Sequence, residues 1–145
     1  MKRRIIQKEE CCSGCFACQV ACLDQRYEAD ADPVITYRTV KTIRNTEEQF
    51  QKQVCVGCTH CGACITVCPT QALYREEETG LVLADASKCN GCRACLNICK
   101  NDAIRYDDQG KVRKCDGCRA RISKGKLPAC VKACALHALE LISCE

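Results

Sequence analysis

The sequence predicts an α+β domain of short helices and β-hairpins arranged around bound metal. Three observations predict it. Nineteen of the 145 residues are cysteines, far above ordinary usage. Sixteen of them fall into four motifs with short, regular gaps, and a unit of 31 residues recurs between the second and third motifs. After each of the last three motifs, Ala followed by Leu or Ile marks the start of a short strand.

The second motif runs from Cys58 to Cys68 and continues with Pro69, giving the spacing C-x2-C-x2-C-x3-C-P. This spacing is a general bacterial signature for ligands of iron–sulfur clusters. A [4Fe–4S] cube needs one thiolate for each of its four irons, and three cysteines two residues apart can surround one cube in a single loop. The fourth cysteine projects away and suits a second cube better. The motif therefore predicts partner motifs elsewhere.

Three further motifs supply these partners. The first and third have the same cysteine spacing, and the fourth has eleven residues between its second and third cysteines. Glycine precedes the second cysteine in three motifs, where a small residue lets the backbone approach a cube. The candidate ligands are Cys12, Cys15, Cys18, Cys22, Cys58, Cys61, Cys64, Cys68, Cys89, Cys92, Cys95, Cys99, Cys115, Cys118, Cys130 and Cys134.

Three cysteines are left over, and one of them makes the register of the second motif ambiguous. Cys11, Cys55 and Cys144 stand outside the four motifs. Cys55-Val-Gly-Cys58 has the same form as the other motif starts, so Cys55 is an alternative first ligand. We choose Cys58 as the first ligand because Cys68-Pro69 fixes the end of the motif. Cys55 is then a spare thiol or one that lines a cluster.

The predicted elements follow the motifs in chain order. Alternating β-branched and polar residues over 34–43 predict the best-defined strand, after a break at 30–33. Each repeated unit predicts a cysteine loop, a one-turn helix and a short strand. The other expected elements are a strand at 5–6, a helix over 19–27, a strand near 54, hairpins joining 72–74 to 81–83 and 103–106 to 111–113, and a last strand at 138–141.

Composition and charge exclude several classes of protein. Trp is absent and Phe plus Tyr number six, so clusters would form much of the core and folding would depend on metal loading. The formal charge of +4 becomes about −4 once four cubes of about −2 each are bound. This balance, with few base-stacking aromatics, argues against nucleic acid. No secretory h-region or apolar run of transmembrane length is present, so a reduced cytoplasmic location without membrane insertion is expected.

Some side chains near the ligands have two interpretations. His60 is expected to hydrogen-bond to a cluster or the backbone rather than act as a ligand, and His137 is expected to be solvated. Five cations beside ligands are either surface charges or groups that raise cluster potentials: Lys88, Arg93, Lys114, Arg119 and Lys132.

Zinc and substrate chemistry are less favoured than iron–sulfur clusters. Zinc sites usually use two C-x2-C pairs with a long spacer, which only the fourth motif resembles, and a disulfide framework fits a reduced compartment poorly. The sequence contains no nucleophile–base set, P-loop or dinucleotide fingerprint, so no catalytic residue is predicted.

The four motifs resemble those of four-cluster ferredoxin-type subunits of modular anaerobic oxidoreductases. These subunits serve molybdenum or tungsten pterin enzymes (formate dehydrogenase, dimethyl sulfoxide reductase, aldehyde oxidoreductase) and some hydrogenases. The resemblance covers Cys12 to Leu141, and the motif starts Cys58-Thr-His-Cys61 and Cys115-Asp-Gly-Cys118 are close to the family's usual sequence. It implies a fold of two nested ferredoxin-like halves in one domain over 1–145, an outer half (1–54 and 111–145) and an inner half (55–110).

The resemblance also implies four [4Fe–4S] clusters, with outer motifs sharing two cubes and inner motifs sharing the other two. The implied ligands are Cys12, Cys15, Cys18 and Cys134 at site 1; Cys115, Cys118, Cys130 and Cys22 at site 2; Cys58, Cys61, Cys64 and Cys99 at site 3; and Cys89, Cys92, Cys95 and Cys68 at site 4. The expected function is electron relay between a catalytic oxidoreductase subunit and a second redox carrier. The alternatives are a free-standing soluble polyferredoxin and a structural zinc protein that mediates interactions.

Overall fold

The computed structural model describes residues 1–26, 36–47 and 49–145. The α+β class is confirmed, since short helices alternate with short antiparallel strands. The strands are β1 (Lys2–Gln7), β2 (Arg38–Asn45), β3 (Phe50–Gly57), β4 (Leu73–Arg75), β5 (Val82–Ala84), β6 (Ile104–Tyr106), β7 (Val112–Lys114) and β8 (Leu139–Cys144). The α-helices are α1 (Ala17–Arg26), α2 (Ala63–Thr66), α3 (Ala94–Ile98), α4 (Arg119–Ile122) and α5 (Ala129–Ala133), with 3-10 turns at Glu9–Cys11 and Ala86–Lys88.

The strands of the described ranges form four antiparallel pairs, β1–β8, β2–β3, β4–β5 and β6–β7. Both predicted short hairpins are present as β4–β5 and β6–β7. The β1–β8 pair joins the two ends of the chain, with Lys2 opposite Cys144 and Gln7 opposite Leu139. This pairing places the first and last motifs beside each other, and α1 packs against α5 there.

Element boundaries differ from the sequence prediction by one to four residues in most elements, and two cases are informative. The helix expected over 19–27 begins at Ala17, and the strand expected over 34–43 runs from Arg38 to Asn45. The bounds of β2 follow its pairing with the equally long strand β3, and residue pattern alone does not reveal this pairing. The predicted break at 30–33, together with residues 27 and 34, lies outside the described residues.

The repeated unit after each of the last three motifs has one local structure. The third residue after the final cysteine takes a left-handed backbone conformation in all three copies, with φ of 55° at Gln71, 47° at Asp102 and 52° at His137. The following alanine is buried in each copy, and the N–H groups of Ala103 and Ala138 donate to the Sγ of the preceding motif's last cysteine. The turn therefore brings the next strand back against the cysteine loop.

The buried apolar residues gather in two main clusters. One contains Leu73, Val82, Ile104 and Val112 together with cysteines of the second and third motifs. The other contains Ile5, Val131 and Leu139 together with cysteines of the first and fourth motifs. Hairpin β6–β7 continues to Lys114, past the predicted end of the inner half at residue 110. The division into halves stays a prediction.

Across residues 1–26, 36–47 and 49–145, none of the helices combines the length and apolarity that crossing a membrane requires.

Candidate iron–sulfur sites

The cysteines expected at site 3 line a cavity with a volume of about 360 Å³. Cys58, Cys61 and Cys64 approach it from the second motif, and Cys99 approaches it from the third. The loop before α2 carries Cys58 and Cys61, α2 itself carries Cys64, and Cys99 lies at the end of α3. Two motifs that are far apart in sequence thus supply thiols to one space.

The cysteines expected at site 1 line a second cavity of about 210 Å³. Three come from the first motif, at Cys12, Cys15 and Cys18, and Cys134 comes from the end of α5. The leftover residues Cys11 and Cys55 line the same cavity. This space therefore contains more thiols than one cube requires.

The cysteines expected at site 2 also converge, but around a much smaller space. Cys22, Cys115, Cys118 and Cys130 line a cavity of about 10 Å³, which is room for about one water molecule. A cube at this place would require the four side chains to move apart.

Three of the four cysteines expected at site 4 share one apolar cluster. Cys68, Cys89 and Cys95 pack there around β4–β7, while Cys92 is exposed. The Sγ of Cys95 lies 3.0 Å from the hydroxyl of Tyr106. The thiols of site 4 are thus next to a phenol that can hydrogen-bond to sulfur.

The motif starts share a backbone conformation that bears on the register of the second motif. The residue before the second cysteine has φ of 74° at Gly14 and Gly91, 68° at Gly117 and 54° at His60. The N–H groups of His60, Gly91 and Gly117 donate to the Sγ two residues earlier, at 3.4, 3.4 and 3.2 Å. In the alternative register, Gly57 would be the residue before the second cysteine. Gly57 lies in the extended strand β3 and so lacks the conformation that the four motif starts share.

Cys55 lies apart from the cavity that its alternative register would require. It is 3% exposed in β3 and lines the site 1 cavity rather than the site 3 cavity. Burial raises the pKa of its thiol to about 12. Without metal, Cys55 is therefore a neutral thiol at pH 7.

The histidine predictions agree with the structure. His60 is 1% exposed, and the N–H of Val82 donates to its Nδ1 at 3.1 Å. Burial lowers the pKa of His60 well below 6.5, so the ring is neutral and bonded to the backbone as expected. His137 is exposed.

For Lys114, the interpretation as a surface charge is wrong. This side chain is 7% exposed, and its Nζ donates to the carbonyls of Val82 and Cys115 at 2.6 and 2.8 Å. It is buried because β7 turns it inward beside the site 3 cavity. The other four cations of this group are exposed: Lys88, Arg93, Arg119 and Lys132.

The sequence analysis missed Arg38, which is 2% exposed at the start of β2. Its Nη2 donates to the carbonyl of Cys58 at 3.4 Å. Its Nε and Nη1 are buried and have no hydrogen-bond partner in the part of the chain that the structure describes. The strand alternation gave a signal, since Arg38 falls on the same face as Val40, which packs into the core.

These features fit a [4Fe–4S] cofactor. Thiolates are the ligands that such clusters use, and a cubane of net charge about −2 would supply the anion that the buried cations lack. Among the described residues, no group of three or more His, Cys, Asp or Glu side chains is arranged to hold a metal ion. A cube, unlike an ion, spreads its ligands over four irons.

The fold and the converging cysteines define a protein that carries iron–sulfur clusters. The chain belongs to the 4Fe-4S dicluster domain family, whose model matches residues 46–143. It therefore binds [4Fe–4S] clusters and transfers electrons, as the sequence predicted.

Similar proteins are chains or subunits of reductases. Over 142 residues the chain is 35% identical to the probable anaerobic dimethyl sulfoxide reductase chain YnfG of Escherichia coli strain K12, covering 89% of this chain and 67% of the relative. Over 143 residues it is 37% identical to the thiosulfate reductase electron transfer subunit PhsB of Salmonella typhi, covering 94% of this chain and 73% of the relative. The resemblance to iron–sulfur subunits of dimethyl sulfoxide reductase is confirmed.

Proposed function

We propose that this chain relays electrons through four [4Fe–4S] clusters between the catalytic subunit of an anaerobic reductase and a second redox carrier. The observation that supports it most directly is the site 3 cavity, where three thiols of one motif meet the last thiol of another. That arrangement suits a cube whose fourth ligand is exchanged between motifs.

The proposed ligands are the four sets named above as sites 1 to 4. The site 1 cavity supports exchange at the outer pair of motifs, because Cys134 joins the first motif there. The small cavity at site 2 supports the reciprocal exchange, because Cys22 joins the fourth motif. For the inner pair, Cys68, Cys89 and Cys95 lie in one apolar cluster, which also contains Cys64 and Cys99 of site 3.

The bound clusters would supply one-electron chemistry, and the chain's residues would tune it. Backbone N–H groups that donate to Cys58, Cys89 and Cys115 stabilise thiolate charge. Lys114 places a buried positive charge beside Cys64 and Cys115. This charge favours the more negative, reduced state of clusters at sites 2 and 3, so we assign Lys114 the potential-raising role.

The proposed catalytic partner is a molybdenum or tungsten pterin subunit, with a hydrogenase as the other class that the resemblance allows. The names of the relatives support a reductase, since they include dimethyl sulfoxide reductase and thiosulfate reductase chains. Size-exclusion chromatography of native extract tests this partner. We expect this chain to elute with a larger catalytic subunit, whereas elution of the chain alone would favour a free-standing polyferredoxin.

Iron analysis tests the number of clusters. We expect anaerobically purified protein to contain about sixteen irons and sixteen acid-labile sulfides per chain, because each of four cubes contains four of each. Iron and sulfide assays on the same sample as a protein determination measure this directly. About eight irons would contradict the four-cluster proposal, and zinc without iron would favour the structural alternative.

Paired substitutions test the register of the second motif. Cys64→Ser should lower the iron content from about sixteen to about twelve, because it removes a ligand of site 3. Cys55→Ser should leave the iron content unchanged, because the repeated N–H to sulfur bond begins the motif at Cys58. Cys144→Ser, at another leftover thiol at the C-terminal end of β8, is the matched control. Loss of iron in Cys55→Ser with full iron in Cys64→Ser would favour the alternative register.

A further inference from the structure

Arg38 is a buried cation with no buried carboxylate to balance it. In the described ranges, the buried charged side chains are those of Arg38 and Lys114, and both are positive. Burying a charge without a counter-charge is costly, because water no longer solvates it. Something other than an aspartate or glutamate of the described core must therefore offset it.

Arg38 has two buried donors without a hydrogen-bond partner among the described residues, whereas Arg26 has one, its Nε. Lys114 places its ammonium against two carbonyls, and Arg26 forms an ion pair with Asp116 at 2.5 Å. In Arg38 only Nη2 has a hydrogen-bond partner among the described residues, while Nε and Nη1 are buried and unpaired. Apart from the thiol of Cys130, a proposed site 2 ligand with which the guanidinium interacts, the described chain offers these two donors no acceptor.

The position of Arg38 is common to three of the proposed sites. It lines the small cavity of site 2, and its hydrogen bond to the carbonyl of Cys58 attaches it to the loop of site 3. Its charge also acts on Cys18 at site 1 and on Cys130 at site 2. Site 4 is different, since the charges that act most strongly on Arg38 are those of Cys130, Cys115 and Cys55, and none of these is a site 4 cysteine.

We propose that Arg38 is a shared counter-charge for the clusters at sites 1, 2 and 3 and that it raises their reduction potentials. This inference depends on the proposed ligand sets. A reduced cluster has one more negative charge than an oxidised one, so a fixed positive charge nearby favours reduction. Arginine stays protonated at all accessible pH values, so Arg38 would hold these potentials independently of pH. The largest effect is expected at site 2, whose cavity it lines.

Redox titration of full-length variants, followed by electron paramagnetic resonance, tests the proposal. In Arg38→Gln we expect the reduced-to-oxidised ratio of the site 2 cluster at fixed potential to fall at least tenfold, equivalent to a shift of about 59 mV for a one-electron couple. Smaller shifts in the same direction are expected at sites 1 and 3, and none at site 4. Arg38→Lys should keep most of the wild-type potential because it keeps the charge.

Lys41→Gln is the matched control, because it removes an exposed cation from the same strand. Lys41 is 50% exposed and paired with Asp102, and solvent screens such charges, so all four potentials should stay unchanged. Unchanged potentials in an iron-replete Arg38→Gln protein would overturn the proposal, as would equal shifts in Lys41→Gln.

If Arg38→Gln incorporates its clusters poorly, the iron contents of the Arg38 variants provide a second test. We then expect Arg38→Lys to recover the wild-type iron content, because the charge is what the clusters require. Equal iron loss in the Gln and Lys variants would overturn the role of the charge. A wild-type protein with fewer than about sixteen irons would instead contradict the four-cluster function, whatever the Arg38 variants show.

Discussion

Removal of the iron is expected to unfold this protein rather than leave an empty version of the same fold. The strands of the described ranges pair only two by two, and an isolated two-stranded pair is marginally stable in water. The longest described helix has ten residues and the others four or five, below the length at which an isolated helix is stable. Local structure therefore contributes little without the clusters.

The core supports the same expectation. Cysteine is the most frequent residue among the buried apolar side chains of the described chain, and most of these cysteines are proposed ligands. Without a cube, the thiols around the cavities of about 360 and 210 Å³ surround empty space, and such voids destabilise a core. The whole free energy of unfolding of a small domain is only about 5–15 kcal/mol. The stabilisation lost with the clusters should be larger than this, so the protein should unfold.

Circular dichroism before and after anaerobic chelation of the iron measures whether the protein unfolds. We expect the chelated protein to lose its far-ultraviolet signal and its cooperative thermal transition, and reconstitution with iron and sulfide to restore both. The control is the same treatment with chelator already saturated with iron. A chelated protein that keeps its spectrum and a sharp transition would show that the organic core is sufficient.

Local patterns predicted much of this fold. Each hairpin followed from a short segment that begins with an apolar pair, a turn containing glycine and a second short segment, and β4–β5 and β6–β7 lie within one residue of those positions. The repeat after each last cysteine also appeared as one structure, with a left-handed residue and then a buried alanine. These features are local in sequence, so neighbouring residues are enough to define them.

Long-range features were harder to predict from the sequence. Arg38 and Lys114 are charged residues at the ends of strands, and only the packing of other elements shows that they are buried. Cys55 stands three residues before the second motif, yet β3 carries its side chain to the cavity of site 1. In both cases the outcome depends on which surfaces meet in three dimensions, and residue type alone does not determine this.

Cys134 belongs to the fourth motif but is proposed as a ligand of the first motif's cluster at site 1. Cys134→Ser is therefore expected to damage the cluster at site 1 and to leave the fourth motif's cluster at site 2 with all four ligands. The fold supports this expectation. Strands β1 and β8 pair along their whole length, and α1 packs against α5, so the end of α5 faces the first motif. Cys134 lines the cavity of Cys12, Cys15 and Cys18, while Cys130 lines the cavity of Cys22.

Iron counts in double variants can show which cysteines share a cluster. Each single variant should lose about four irons, since one missing ligand costs one cube. Cys134→Ser with Cys15→Ser should still lose only about four, because both residues would hold the same cube. Cys134→Ser with Cys118→Ser should lose about eight, because these residues would hold different cubes, and effects at independent sites add.

The reciprocal pair is the matched control for this exchange. Cys22→Ser with Cys118→Ser should lose about four irons, and Cys22→Ser with Cys15→Ser about eight. This pattern is the reverse of what each motif binding its own cube would give, because Cys22 and Cys15 stand in one motif. Loss of about eight irons in Cys134→Ser with Cys15→Ser, together with about four in Cys134→Ser with Cys118→Ser, would show that the fourth motif keeps its own last ligand.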